Sequence, residues 1–234
     1  MSGKFPPVVF VHGYLCSALV WVKQFNDKHL LDNLYMTRGH GRSDQPESPD
    51  AYASEKHAED FQAVCAAFNV TKPTVVTWSL GGVVVADVLS RYGTSPLPVA
   101  GYVPSSHNTT VMSSLLSPQT TEFQTALKAF INAFVAPGKS ITFEDQCAWI
   151  GSAMGMDETA IRSVANELPI LCIQGTDDVL IDSKKHEELV KKHFGDNMDY
   201  QRLPGAGHAC FYDLPEVVNP MITQFVQCVY ESSS

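Results

Sequence analysis

The sequence predicts an α/β protein built on a mostly parallel sheet of about six strands, with helices on both faces. Three observations predict it. Apolar or β-branched runs of strand length occur at residues 7–11, 34–36, 74–77, 99–103, 170–174 and 199–203. The segments between them repeat their apolar residues at helical spacing. At Thr74-Val75-Val76-Thr77-Trp78-Ser79-Leu80-Gly81-Gly82 a β-branched run feeds a serine, two glycines follow, and an apolar helical pattern begins, which reads as strand, sharp turn and helix with Ser79 at the apex. Strands alternating with helices imply a parallel sheet whose ligands bind beyond the strand C-terminal ends.

The elements follow in order. The run at 7–11 ends in His12-Gly13 and predicts a buried parallel strand entering a tight loop. Ser17 is placed to cap a helix over 17–31, where Leu19, Trp21, Val22, Phe25 and Leu30 recur at helical spacing. The strand at 34–36 breaks at Arg38-Gly39-His40-Gly41-Arg42-Ser43-Asp44, whose glycines demand a sharp turn. A helix over 51–68, the strand at 74–77, a helix over 79–92 and the strand at 99–103 complete a βαβαβαβ run. This gathers His12-Gly13, Ser79 and the loop Pro104-Ser105-Ser106-His107 on one rim.

Residues 108–168 break the alternation. Phe123, Leu127, Phe130, Ile131 and Phe134 form a helical stripe closed by Pro137-Gly138, and shorter helical stretches follow at 144–153 and 158–166. An all-helical insertion leaving the rim predicts a lid, the plainer alternative being an extra helical layer that only stabilises the sheet. The alternation resumes at 170–174, Gly175-Thr176-Asp177-Asp178, a helix over 183–194, the strand at 199–203 and the loop Pro204-Gly205-Ala206-Gly207-His208. A last helix covers 215–230, with Asp213 and Glu216 spaced as a capping box and Pro220 expected to kink or delay it. One domain is expected over 1–234, its core at 1–107 and 169–234.

Composition excludes several classes. The 234 residues are 44% hydrophobic and 18% charged, ordinary for a globular protein, and no apolar run approaches the roughly 18–20 residues that span a bilayer. A net charge of −9, with basic residues clustered no further than Lys184-Lys185 and Lys191-Lys192, would repel a phosphate backbone, so neither nucleic acid nor a membrane is expected as partner. The six cysteines are widely spaced, with no cysteine or histidine pairing at metal-site separation, and are expected to be reduced core thiols. His29, His40, His57, His186 and His193 likewise show no ligand spacing. The N-terminus enters its first strand without room for a secretory segment, so a cytoplasmic location is expected.

The chemistry lies in three loops. A serine hydroxyl is a weak nucleophile and needs a histidine base, a carboxylate to orient that base and donors for the developing oxyanion. Asp178 follows one strand and His208 the next, giving with Ser79 the order Ser, Asp, His used by elbow-type hydrolases. Alone, Ser79 would read as a helix cap; with the other two in order it reads as a nucleophile.

These residues resemble the α/β-hydrolase superfamily, and more narrowly its cofactor-free haloperoxidase and arylesterase branch. The resemblance rests on Val11-His12-Gly13-Tyr14, Arg38 through Pro46, Trp78-Ser79-Leu80-Gly81-Gly82, Arg91-Tyr92-Gly93, Gly175-Thr176-Asp177-Asp178 and Gly205-Ala206-Gly207-His208. It spans nearly the whole chain and is weakest over the lid. It implies Ser79 as nucleophile, His208 as general base, Asp178 as orienting acid, and the backbone N–H groups of Tyr14 and Leu80 as oxyanion hole, with no cofactor and no metal. In the family the acid stands three residues after the glycine of its turn, which selects Asp178 over Asp177. His12 matches the histidine that braces the oxyanion loop, and Asp44 reads as a turn brace. Trp78, His107, Phe130, Phe134 and Trp149 are the candidates for substrate contact, the aromatic residues of the insertion reading first as lid core.

The chain departs from the family pattern twice. Thr77 stands where the elbow usually has glycine, and only about seven residues precede the His-Gly strand, where an antiparallel hairpin is common. The sheet should therefore lack that hairpin and carry an exposed edge at 34–36, which invites a homodimer. The implied activity is hydrolysis of a small or medium apolar carboxylic ester or lactone through an acyl-enzyme. Two alternatives stand beside it. One is cofactor-free perhydrolysis, whose practitioners often carry proline where this chain has Leu15. The other is a small-molecule receptor that keeps the triad and signals through its lid.

Overall fold

The structure is a computed structural model that describes residues 6–13, 16–27, 30, 33–35, 38, 43–44, 46, 48–93, 96–104, 132–142, 168–194 and 198–232. Its strands are β1 (Val8–Val11), β2 (Asn33–Tyr35), β3 (Thr74–Thr77), β4 (Gly101–Val103), β5 (Ile170–Gly175) and β6 (Met198–Leu203). They form one six-stranded sheet in the order β2-β1-β3-β4-β5-β6, with every pairing parallel. Among the described residues β2 stands at one end of the sheet, paired with β1, where the edge is expected. The expected lid helices at 144–153 and 158–166, and most of the stripe from Phe123, lie outside the described residues.

β1, β3 and β5 are buried along their whole length, as strands covered on both faces must be. Alternate residues feed two cores. Phe10, Val76, Leu171 and Ile173 face α1 (Val22–Phe25), α5 (Cys210–Asp213) and α6 (Pro215–Ser232). Val9, Val11, Val75, Ile170 and Cys172 share the other core with Phe61 of α2 (Ser54–Ala67) and Val84 and Val88 of α3 (Gly82–Tyr92). α4 (Ser183–Phe194) packs on β6, where His186 Nδ1 lies 2.8 Å from the Tyr200 hydroxyl. In the first core, Trp21 stacks between Phe10 and Phe211, with ring centroids at 5.2 and 4.2 Å.

Three expectations are corrected. The helix over 17–31 reduces to a 3₁₀ turn at Ala18–Trp21 and the single turn α1, capped by the Ser17 hydroxyl and closed where the Asn26 amide donates to Val22. Leu30 is buried all the same, so the spacing recorded burial and not continuous helix. The Asp213–Glu216 capping box does not form: Asp213 ends α5 and turns its carboxylate back to the amides of Gly207 and Ala136. Leu214 precedes α6, with Pro215 at its first position, where the missing N–H costs nothing, and the helix runs on through Pro220. Of the described cysteines, Cys16, Cys65, Cys172 and Cys210 are buried thiols in no disulfide, as expected, but Cys228 is exposed. Among the described residues no helix is long and apolar enough to cross a membrane.

Candidate active site

Because all the strands are parallel, the turns after β1, β3, β5 and β6 open on one rim, and the three candidate residues sit there. Ser79 follows β3 by one residue, opens the 3₁₀ turn Ser79–Gly81 that feeds α3, and has φ 52°. A side chain in the left-handed region costs roughly 1–2 kcal/mol and holds only where surroundings enforce it. The enforcement is visible. The Trp78 amide donates to Val11 at 3.1 Å, the Gly81 amide to Trp78 at 2.9 Å, and a Cβ on Gly81 would lie 2.5 Å from the His12 carbonyl oxygen. The turn is thus pressed against the His12-Gly13 loop, and a Cβ on Gly13 would lie 3.1 Å from Ser79 Cβ.

Thr77 occupies the strand side of the turn. It is fully buried, and its hydroxyl donates across the sheet to Tyr102 of β4 at 3.4 Å. Burial raises the Tyr102 phenol far above its ordinary value, so it stays a neutral acceptor.

Asp178 and His208 meet on the other side of the rim. His208 Nδ1 lies 2.9 Å from Asp178 Oδ2, and both side chains are buried. The same oxygen accepts from Gln174 Nε2 at 2.8 Å, while Oδ1 accepts from the amides of Leu180 and Ile181 at 2.8 and 3.0 Å. Burial alone would raise the Asp178 pKa; the hydrogen bond and charge of His208, with the Leu180 amide and Gln174, outweigh it and hold the carboxyl below its ordinary value. An ionised carboxylate can only accept, so Nδ1 carries the proton and Nε2 is left as the basic nitrogen. Asp177, its neighbour, is exposed and takes its bond from Thr176.

The acid and base loops are stitched by backbone. The Asp177 amide donates to Ala206 at 2.9 Å, and Gly175 has no Cβ because one would lie 2.2 Å from the Ala206 oxygen. His208 is walled by Trp78 and Phe134, each with its ring 5.7 Å from the imidazole, and its carbonyl accepts from the Trp78 indole at 3.1 Å. Trp78 and Phe134 are themselves closed off from solvent and packed edge to face at 4.7 Å, so in this arrangement they brace the imidazole. Leu80 follows Ser79 in the 3₁₀ turn. His12 is buried, with Nδ1 2.9 Å from the Gly13 oxygen. Tyr14, His107, Phe130 and Trp149 lie outside the described residues.

Gln174 and Asp213 also stand around this site, without a role there that the sequence alone assigns. Gln174 is a lone amide at the end of an apolar run, and that polarity in a strand buried on both faces is the signal that marks it. Asp213 offered no distinct signal, because its spacing also fits a helix cap. Among the described residues no group of three or more His, Cys, Asp or Glu is placed to hold a metal.

Comparison with known proteins gives the family and the fold. The family model for the alpha/beta hydrolase fold matches residues 6–159. A non-heme chloroperoxidase from Streptomyces lividans is 28% identical, over 94% of this chain and 91% of its own. An esterase from Rhodococcus sp. ECU1013 superposes with a TM-score of 0.73 at 27% identity, over 96% of this chain and 91% of its own. Est816, described as an N-acyl homoserine lactone degrading enzyme, superposes with a TM-score of 0.72 at 21% identity, over 95% and 94%. The chain belongs to the alpha/beta hydrolase fold family, and its similarity runs to the haloperoxidase and arylesterase branch of that family.

Proposed function

We propose that this chain is a serine hydrolase that cleaves a small or medium apolar carboxylic ester or lactone through an acyl-enzyme. The observation that carries the reading is the buried Asp178–His208 pair on the same rim as a serine held at φ 52°. Ser79 Oγ attacks the carbonyl carbon as His208 Nε2 takes its proton. The tetrahedral oxyanion is met by the backbone N–H groups of Leu80 and Tyr14, and Asp178 stabilises the imidazolium. Collapse breaks the bond to the alcohol oxygen, which leaves with the proton from His208. Water, deprotonated by the same nitrogen, then attacks the acyl carbon, and Ser79 departs with that proton. In a lactone the leaving oxygen stays tethered to the product acid.

The ester and lactone classes are supported by the Rhodococcus esterase and by Est816. Initial rates over a panel of aryl esters and lactones of graded acyl length, run beside Ser79→Ala, test the reading. Turnover that vanishes in Ser79→Ala supports it, and turnover that survives rejects it. A second reading, perhydrolysis, is favoured by similarity to the Streptomyces chloroperoxidase: hydrogen peroxide replaces water on the acyl-enzyme and releases a peracid, which oxidises halide. Halogenation dependent on peroxide and acetate, exceeding ester turnover, would put this reading first.

A further inference from the structure

We propose that Asp213 is a positioning residue for His208, a proposal that rests on the serine-hydrolase reading above. One oxygen, Asp213 Oδ2, accepts from the amide of Gly207 at 2.7 Å and from the amide of Ala136 at 3.0 Å. Gly207 immediately precedes the base. Ala136 belongs to 132–142, the part of the insertion that carries Phe134 against the imidazole. A single carboxylate oxygen therefore ties the loop that holds the base to the segment that walls it.

The surrounding contacts make this tie decisive. The two segments touch backbone to backbone, since a Cβ on Gly207 would lie 2.5 Å from the Val135 carbonyl carbon. On the far side of His208 the Ala209 amide donates to the Phe134 carbonyl at 2.6 Å. The base is thus bracketed: the amide before it is held by Asp213, the amide after it by Phe134, and its own carbonyl by Trp78.

The anchor is itself fixed. α5 is a single turn whose last carbonyls have no helical partner, and three of them take donors from outside: Phe211 from Gln24 at 2.8 Å, Tyr212 from Lys23 at 2.6 Å and Asp213 from Lys139 at 3.0 Å. Lys23 also lies over the Tyr212 ring at 3.7 Å. From this fixed turn the carboxylate reaches back along the chain and sets the height of the loop ahead of it. Without Oδ2, Gly207 and Ala136 lose their common acceptor, and the amide ahead of His208 is no longer held, leaving the Ala209–Phe134 bond to fix the base from one side alone. Displacements of about 1 Å in a catalytic group cost on the order of 100-fold in rate.

The test uses the full chain, with 4-nitrophenyl acetate and butyrate as probes and active sites counted by an organophosphonate. In Asp213→Ala, kcat per titrated site should fall roughly 10- to 100-fold with KM changed less than about threefold, and organophosphonate inactivation should slow by the same factor, since both need the proton taken from Ser79. Asp213→Asn keeps an oxygen that accepts both amides and should stay within about threefold of the parent. Should the alanine variant not fold, Asp213→Glu, which keeps the charge and moves the acceptor by one methylene, serves in its place and should be impaired where Asn is spared. Parent kcat per site in Asp213→Ala or Asp213→Glu, or equal impairment in Asp213→Asn, overturns the proposal. Ser79→Ala run alongside separates the two failures: turnover surviving there overturns the serine reading and this inference with it, whereas an inactive Ser79→Ala beside an unaffected Asp213→Ala overturns the inference alone.

Discussion

The Thr77 hydroxyl donates across the sheet to the Tyr102 hydroxyl, 3.4 Å away, and not toward the 3₁₀ turn that begins two residues later. Where the elbow pattern has glycine, this chain thus carries a side chain absorbed by the neighbouring strand. The elbow keeps its strained serine because the close approach falls on Gly81 and Gly13, at the His12-Gly13 loop.

Restoring the glycine should therefore weaken the fold without improving the site. Thr77→Gly removes a buried methyl and a hydrogen bond and loosens a central strand, for a loss of about 2–3 kcal/mol in urea unfolding. Tyr102→Phe should cost about 1 kcal/mol. In the double variant the two losses should sum to more than the measured total, by the energy of the shared bond.

Gly81→Ala should act on both stability and turnover. Its Cβ would lie 2.5 Å from the His12 oxygen and 2.7 Å from the Val11 oxygen, and both are backbone, so the turn must move off the loop. A destabilisation of about 2–3 kcal/mol is expected, with ester turnover per folded molecule reduced at least tenfold. Circular dichroism melts and initial rates on the same preparation check both.

A different outcome is expected on the α2–α3 face. His57 Nδ1 lies 3.0 Å from Asp87 Oδ2, both buried, in a pair that clamps the two helices away from the rim. Asp87→Ala should cost about 3 kcal/mol by leaving a buried ring without this partner, and Asp87→Asn should cost less. Turnover per folded molecule should be unchanged in both, as read by denaturant titration and active-site counting.

Asp178 gives a pH dependence of known sign. Its folded pKa lies below its unfolded value of about 3.9, so the stability it contributes is fully present above that value and is lost as pH falls through the folded one. The difference in unfolding free energy between the parent and Asp178→Asn should thus drift toward the variant as the pH drops below about 4. Urea unfolding at each pH checks it, and a difference growing toward acid would contradict the sign.

Much of this molecule is written in local pattern, and what is not depends on contacts through space. Every strand run sits near its expected place, and α4 spans Ser183–Phe194 as read, because alternation and amphipathic spacing are enforced residue by residue. The stretch after Ser17 misled because a 3₁₀ turn, one helical turn and a loop can bury Trp21 and Leu30 as well as a continuous helix can. Ser79, Asp178 and His208 were legible because each is tied to a turn with its own glycine signature. Gln174 and Asp213 were not, since one is marked by where its strand packs and the other by an amide in a distant segment.

The central claim is that His208, oriented by Asp178, activates Ser79 as the nucleophile. The direct measurement is organophosphonate labelling followed by intact and peptide mass analysis of the parent, Ser79→Ala and His208→Ala. One adduct on the peptide containing Ser79 is predicted in the parent, none in Ser79→Ala, and labelling slowed at least 100-fold in His208→Ala. An adduct on another residue, or labelling at the parent rate without His208, would contradict the account.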